Sequence, residues 1–197
     1  MQILFATGNG NKASEASSIL SPLGYEVKIL NINGINPELI EPQADDIQEV
    51  AISKIEQALD FVKGSELEGV PILVEDSGLF IESLGGFPGP YSSYVERKIG
   101  LSGILKLMSQ ESDRRAEYRA VSIISDGRSN FIGKGVSTGV ISIEEIGNMG
   151  FGYDPIFIPN GGDGRTCGEM TYEEKSLISH RAMALKLVSE NLDPPSK

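Results

Sequence analysis

Two adjacent acids, Glu75 and Asp76, close the apolar run from Val70 to Val74, and Ser77-Gly78 and the corner Gly85-Gly86-Phe87-Pro88-Gly89-Pro90-Tyr91 follow them. A strand that ends in carboxylates before a glycine turn presents charge at the carboxyl edge of an α/β sheet. Two such acids suit a hard divalent cation, and magnesium takes only one or two protein carboxylates beside waters and substrate phosphates. Glu41, in a long polar loop, supplies a third acid. A carboxylate beside such a metal can also orient or deprotonate an attacking water. The ordinary alternative is a set of solvated acids. That alternative suits Glu41 taken alone, whereas Asp76, set before the glycine, reads as functional.

Three further groups carry chemistry. Thr7-Gly8-Asn9-Gly10-Asn11-Lys12 follows a short apolar strand and precedes a helical pattern. Such a turn aims backbone N–H groups and the positive end of a helix dipole at one point. Lys12 in the first turn is badly placed for that dipole, and a phosphate would compensate it; the alternative is a capped turn with a solvated lysine. The spacing is neither a Walker A loop nor the dinucleotide fingerprint. In Gly150-Phe151-Gly152-Tyr153-Asp154-Pro155, glycines flank an aromatic that could stand over a flat ligand. Asp154, held extended by the proline, could fix loop amides or receive a base N–H; an aromatic turn with a capping Asp is the competing reading. Thr171 and Glu174 have capping-box spacing. On one straight helix Lys175 and His180 would stand about 140° apart and could not share a ligand. Either Lys175 lies in a preceding turn, or Ser179 starts the helix proper and His180 and Arg181 point from its first turn toward an anion or a base carbonyl. His180 is the only histidine and has no metal-ligand cluster around it, which argues against zinc; the single cysteine, Cys167, reads as structural.

The elements that must position these groups are legible in outline. Ile3 to Ala6 reads as a strand, Lys12 to Leu20 as a helix ended by Gly24, and Glu26 to Leu30 as a second strand. Residues 31–44 form a loop. Asp45 or Asp46 caps a helix with Ile47, Val50, Ala51, Ile55, Ala58, Leu59 and Val62 on one face, ended by Gly64. The Val70–Glu75 strand, a loop over 85–93 and a weak helical pattern from Ile99 to Met108 follow. Glu117–Ser125 and Phe131–Ser142 flank Asp126-Gly127-Arg128 and predict a hairpin. A short strand covers Ile156–Ile158. Residues 160–168 are a glycine-rich, mobile segment, a last helix ends near Asn191, and 193–197 is a frayed tail. A βαβ opening with an added hairpin implies a mixed α/β sheet. The 197 residues fit one large domain or two small lobes, and hydrophobic residues make up 40% of them. The net charge of −11 argues against a nucleic-acid backbone as partner. One cysteine fits a reducing cytoplasm. Neither a membrane-spanning run nor a signal peptide is visible.

In order, T-G-N-x-x-K, Glu41, E-D-S-G-L, G-G-F-P-G-P-Y, F-G-Y-D-P-I-F, E-M-T-x-E-E-K and S-H-R resemble the inosine triphosphate pyrophosphatase (Ham1-like) family, from residue 3 to about residue 188. The resemblance implies a single two-lobed α/β domain with an elongated mixed β-sheet flanked by helices, an active-site cleft between the lobes, and a homodimer. It implies magnesium-dependent hydrolysis of non-standard purine nucleoside triphosphates (ITP, dITP, XTP) to the monophosphate and pyrophosphate. By motif position Thr7, Gly8, Asn9, Gly10, Asn11 and Lys12 would hold the triphosphate, with Lys54 reaching it from the second helix. Glu41 and Asp76 would hold the metal, Glu38 being the competing loop acid, and Asp76 would be the general base. Ser77 follows it. Phe151 would stack on the base, Gly152, Tyr153 and Asp154 would line it, and Lys175, His180 and Arg181 would close the pocket. Lys12, Lys54, Lys175, Arg181 and magnesium together could neutralise a triphosphate, after which phosphoryl transfer needs mostly positioning. Related alternatives are a pyrophosphatase for modified pyrimidine nucleotides and a nucleotide-binding module without turnover.

Overall fold

Strand β1 (Gln2–Phe5) begins at the second residue, and its Ile3, Leu4 and Phe5 are all buried. The computed structural model describes residues 1–192, so the expectation for the 193–197 tail lies outside the described residues. After β1 come α1 (Gly10–Leu20), β2 (Glu26–Ile29), α2 (Ile47–Val62), β3 (Ile72–Ile81), α3 (Ser92–Leu107), β4 (Arg115–Ser125), β5 (Asn130–Ile141), β6 (Phe157–Pro159), α4 (Tyr172–Ser176) and α5 (His180–Ser189). The six strands form one sheet in the order β2-β1-β3-β4-β5-β6. β1 is parallel to β2 and β3, whereas β6 is antiparallel to β5. The sheet is therefore mixed and the fold is α/β, as the sequence predicts.

Several boundaries differ from the sequence reading, each for a local reason. α1 starts two residues earlier, at Gly10, because Asn9 caps it. Of the two candidate caps for α2, Asp46 does the work, accepting from the Gln48 amide. The largest correction concerns β3. Ser77 and Gly78 do not form a turn; the strand runs through them to Ile81. Gly78 is needed for a different reason: a Cβ there would overlap the Gly89 carbonyl oxygen. α3 begins at Ser92, inside the segment expected to be a loop, and is interrupted at Gly100, where φ is 66°. That break splits its apolar pattern, which is why only the second half showed. The last helical stretch is two helices, with Leu177 to Ser179 between α4 and α5.

The chain divides into two compact units. Among the described residues the first holds Met1–Asp76, Val121–Lys134 and residues 181–192. In its core Ile3 and Phe5 of β1 and Leu73 of β3 pack with Ala16 and Leu20 of α1 and Leu185 and Val188 of α5. Side chains alternate across a strand. Glu75 therefore shares the face of Leu73, toward α1 and α5, and Asp76 takes the opposite one. The second unit holds Ser77–Ala120 and Gly135–His180. Its core joins Leu79, Ile81, Ile104, Met108, Tyr118, Ile141, Ile156 and Phe157. Ser92 anchors α3 there, donating to the Gly89 carbonyl (2.6 Å) and accepting from the Leu79 amide (2.8 Å).

Candidate active site

In the first unit β1 stops at Phe5, in register with Leu73, while β3 continues. Glu75 and Asp76 thus lie just past the end of β1, at the level where the chain enters the Thr7–Asn9 turn. The charge is presented where β1 ends, not where β3 ends. In the turn, Thr7 Oγ1 accepts from the Asn9 amide at 3.1 Å. Asn9 Oδ1 accepts from the amides of Asn11 (2.9 Å) and Lys12 (3.3 Å). Those two N–H groups are therefore already taken by the cap and are not aimed at a shared anion. Gly8 and Gly10 are not demanded by packing, since a Cβ on either would meet nothing within 4 Å.

The acids are held by cations from three helices. Lys12 Nζ of α1 lies 2.6 Å from Glu75 Oε2. Arg181, second residue of α5, donates from Nε to Glu75 Oε1 at 3.1 Å and from Nη1 to the Glu15 carboxylate. Lys54 Nζ of α2 lies 2.5 Å from Asp76 Oδ1 and 2.6 Å from Glu41 Oε1. The loop before α2 is fixed by Gln57, which donates to the Ile40 carbonyl and accepts from its amide, both at 2.8 Å. This clip sets Glu41, not Glu38, against Lys54. Three cations thus meet four carboxylates, and Glu75, Asp76 and Arg181 are each at most 5% exposed. Burial pushes Asp76 above the usual carboxylate value; Lys54 and Lys12 pull it down and Glu75 pushes it further up. Burial works against the Lys54 ammonium, but Asp76 and Glu41 outweigh it and hold it above the usual lysine value. Asp76 Oδ2 is buried with no hydrogen-bond partner. Among the described residues no group of three or more His, Cys, Asp or Glu is placed to hold a metal by itself.

Two features of this cluster differ from the sequence reading. Arg181, expected from the resemblance to close the pocket, is buried and pairs with Glu15 and Glu75. Glu15 went unrecognised, although it stands three residues after Lys12 on α1 and so shares its face. That spacing was the available signal.

In the second unit Asp154 organises the Gly150–Pro155 loop. Its Oδ2 accepts from the Phe151 amide at 2.8 Å and pairs with Lys175 Nζ at 2.5 Å. Gly150 must be glycine because its φ is 74° and a Cβ would overlap that carboxylate. Of the two roles open to Asp154, the structure shows it fixing a loop amide. The Lys175 ammonium stands 4.9 Å from the Phe151 ring centroid, so the cation covers one face of the aromatic. Tyr153 is 2% exposed and donates to the Ser92 carbonyl at 2.7 Å. Gly152 has φ 65°.

Lys175 belongs to α4, capped by the Thr171–Glu174 box, and α5 starts afresh at His180. The break removes the angular conflict of a single helix, and both alternatives hold: Lys175 is in a separate turn and Ser179 immediately precedes the next helix. His180 is buried and stacks on Tyr118, the rings 4.6 Å apart and 4° from parallel. Tyr118 was not expected from the sequence. Ser77 is half-buried on β3. The glycine-rich 160–168 segment is tied down at its far end: Arg165 reaches Glu174 at 2.7 Å and the Glu169 carbonyl at 3.2 Å. Thr166 donates to the Ile146 carbonyl at 2.7 Å.

The first unit therefore gathers Lys12, Glu41, Lys54, Asp76 and Arg181 beside the Thr7–Asn11 turn. The second gathers Phe151, Gly152, Tyr153, Asp154 and Lys175, with His180 on Tyr118.

Comparison with known proteins gives one answer. A dITP/XTP pyrophosphatase of Pyrococcus horikoshii is 46% identical over 191 residues, covering 96% of each chain. A dITP/XTP pyrophosphatase of Methanopyrus kandleri is 45% identical over 191 residues, covering 96% of this chain and 95% of its own. Among solved structures, the Ham1 protein of Staphylococcus aureus matches with a TM-score of 0.78 and 27% identity over 96% of this chain and 97% of its own. The Ham1 family model matches residues 3–191, which takes in every side chain described above. The chain belongs to the Ham1 family.

Proposed function

We propose that the protein hydrolyses non-standard purine nucleoside triphosphates (ITP, dITP and XTP) to the monophosphate and pyrophosphate, removing them from the nucleotide pool. The observation that carries the chemistry is Asp76: a buried carboxylate, one oxygen held by Lys54 and the other without a partner. The dITP/XTP pyrophosphatases named above support the substrate class.

The residues fit magnesium. It needs one or two protein carboxylates, with phosphate oxygens and waters completing the shell. Asp76, with its unpartnered oxygen, and Glu41, 56% exposed at its side chain, are the pair that would hold it. Bound there, the cation would supply charge to the polyphosphate and lower the pKa of a coordinated water. Three cations against four acids leave no surplus positive charge in this cluster. Lys12 and Lys54, now held by Glu75, Asp76 and Glu41, are the groups that turn to phosphate when substrate arrives. Gly8, Asn9, Gly10 and Asn11, with Thr7 behind them, line the same phosphates. Asp76 orients the attacking water and takes its proton. Arg181 acts through Glu75, holding that acid and hence Lys12 in place. At the base end, Phe151 stacks on the purine, Gly152, Tyr153 and Asp154 shape its slot, and Lys175 and His180 close it, with Ser77 beside Asp76 contacting substrate. Donors facing the 6-oxo group would be left unpaired by adenine's amine, a mismatch that can cost about 10⁴-fold.

The resemblance further suggests a homodimer working in the cytoplasm; among the described residues no helix is long and apolar enough to cross a membrane. The test of the substrate reading is kcat/KM for dITP, XTP, dATP and dGTP with magnesium. We expect dITP and XTP to exceed the other two by at least about 10²-fold. Equal rates on all four would refute the selectivity, and tight binding of dITP without turnover would favour a binding module.

A further inference from the structure

From the base-binding reading just given we infer that Glu96 is a specificity-determining residue, its carboxylate accepting the N1–H of a 6-oxopurine and so separating hypoxanthine from adenine. Glu96 lies on α3, four residues after Ser92, whose carbonyl receives the Tyr153 hydroxyl. The first turns of α3 are thereby latched to the loop that carries Phe151. Glu96 Oε2 stands 3.8 Å from the point where a Cβ on Gly152 would sit. Gly152 is held at φ 65°, a conformation that favours glycine, so no side chain screens the loop from that carboxylate.

The loop has two carboxylates at hand, and they are differently occupied. Asp154 is engaged by the Phe151 amide and Lys175. Glu96 makes no side-chain hydrogen bond or ion pair among the described residues, and neighbouring Arg97 donates instead to Ser93 Oγ. Glu96 is half-buried, and burial pushes its carboxyl above the usual value; Arg97 opposes the shift and Asp154 adds to it. A half-buried carboxylate without a partner is costly. A ligand N–H recovers that cost and forms a charge-assisted hydrogen bond. Hypoxanthine and xanthine carry a proton at N1, whereas adenine offers a lone pair that the carboxylate repels. Guanine carries the same proton, so its discrimination falls to other groups.

The test compares dITP with dATP in Glu96→Gln and Glu96→Leu, with Phe151→Ala measured alongside. We expect the dITP/dATP ratio of kcat/KM to fall roughly tenfold or more in both Glu96 variants. The ratio is internal to each variant, so a change in stability cancels from it. A ratio at the wild-type value in both Glu96 variants, while Phe151→Ala loses dITP activity, overturns the role of Glu96 alone. Wild-type dITP activity in Phe151→Ala overturns the base-binding reading itself.

Discussion

Asp76→Asn should reduce dITP hydrolysis by about 10²- to 10⁴-fold, the range spanned by removal of a general base. The substitution is isosteric, and the amide oxygen can still accept from Lys54, which keeps Glu41 as a second partner. Folding should therefore survive. The folded state also holds the Asp76 carboxyl above its ordinary value, chiefly through burial. A raised carboxyl favours folding below the unfolded pKa and opposes it once pH climbs past that value, so at neutral pH this charge costs stability. Removing it should not lower the urea midpoint. The expected result is a folded variant that binds dITP and turns it over about 10²- to 10⁴-fold more slowly. Activity within tenfold of wild type would exclude Asp76 as the base; unfolding at the wild-type optimum would make the residue structural.

Arg181→Met should act mainly on stability. Arg181 is 2% exposed and pairs with Glu15 and Glu75, both under 10% exposed, so the substitution takes a buried cation from two buried carboxylates while Lys12 stays beside Glu75. Breaking a buried pair by removing one partner costs about 3–5 kcal/mol. The sign of the pH dependence follows. In the variant the buried pair of acids loses one of its cations, which disfavours their charged forms in the folded state. Folding then binds protons, and the deficit relative to wild type shrinks as pH falls from 7.5 toward 5. Urea unfolding at both values reads this directly. A deficit under about 1 kcal/mol at pH 7.5, the scale of an exposed pair, would show that the network is solvent-screened.

Much of this was legible in the chain because local rules agreed with the fold. The apolar run before Thr7, the candidate caps Asp45 and Asp46, and the punctuation by Gly24 and Gly64 located β1, α1 and α2 to within a few residues. The misreading of Gly78 has a clear physical source. A glycine after two acids signals a turn, but here it answers to the Gly89 carbonyl, a neighbour defined only once the strand and the corner after it are in place. The charge network was half visible. Lys12 and Glu15 share a helix face, yet their partners lie far along the chain: Arg181 is 106 residues from Glu75 and 166 from Glu15. No pattern read along the sequence can pair them, because the packing of α1 and α5 against β1 and β3 is what brings them together. Glu96 was hidden for a third reason, since the break at Gly100 obscured the helix that carries it. The helix break between Lys175 and His180, by contrast, was foreshadowed by an impossible angle.

The most direct test is the identity of the product. With dITP and magnesium, phosphorus NMR of the full chain's reaction should show dIMP and pyrophosphate in equal amounts and no orthophosphate at early times. Release of orthophosphate with dIDP would contradict the account.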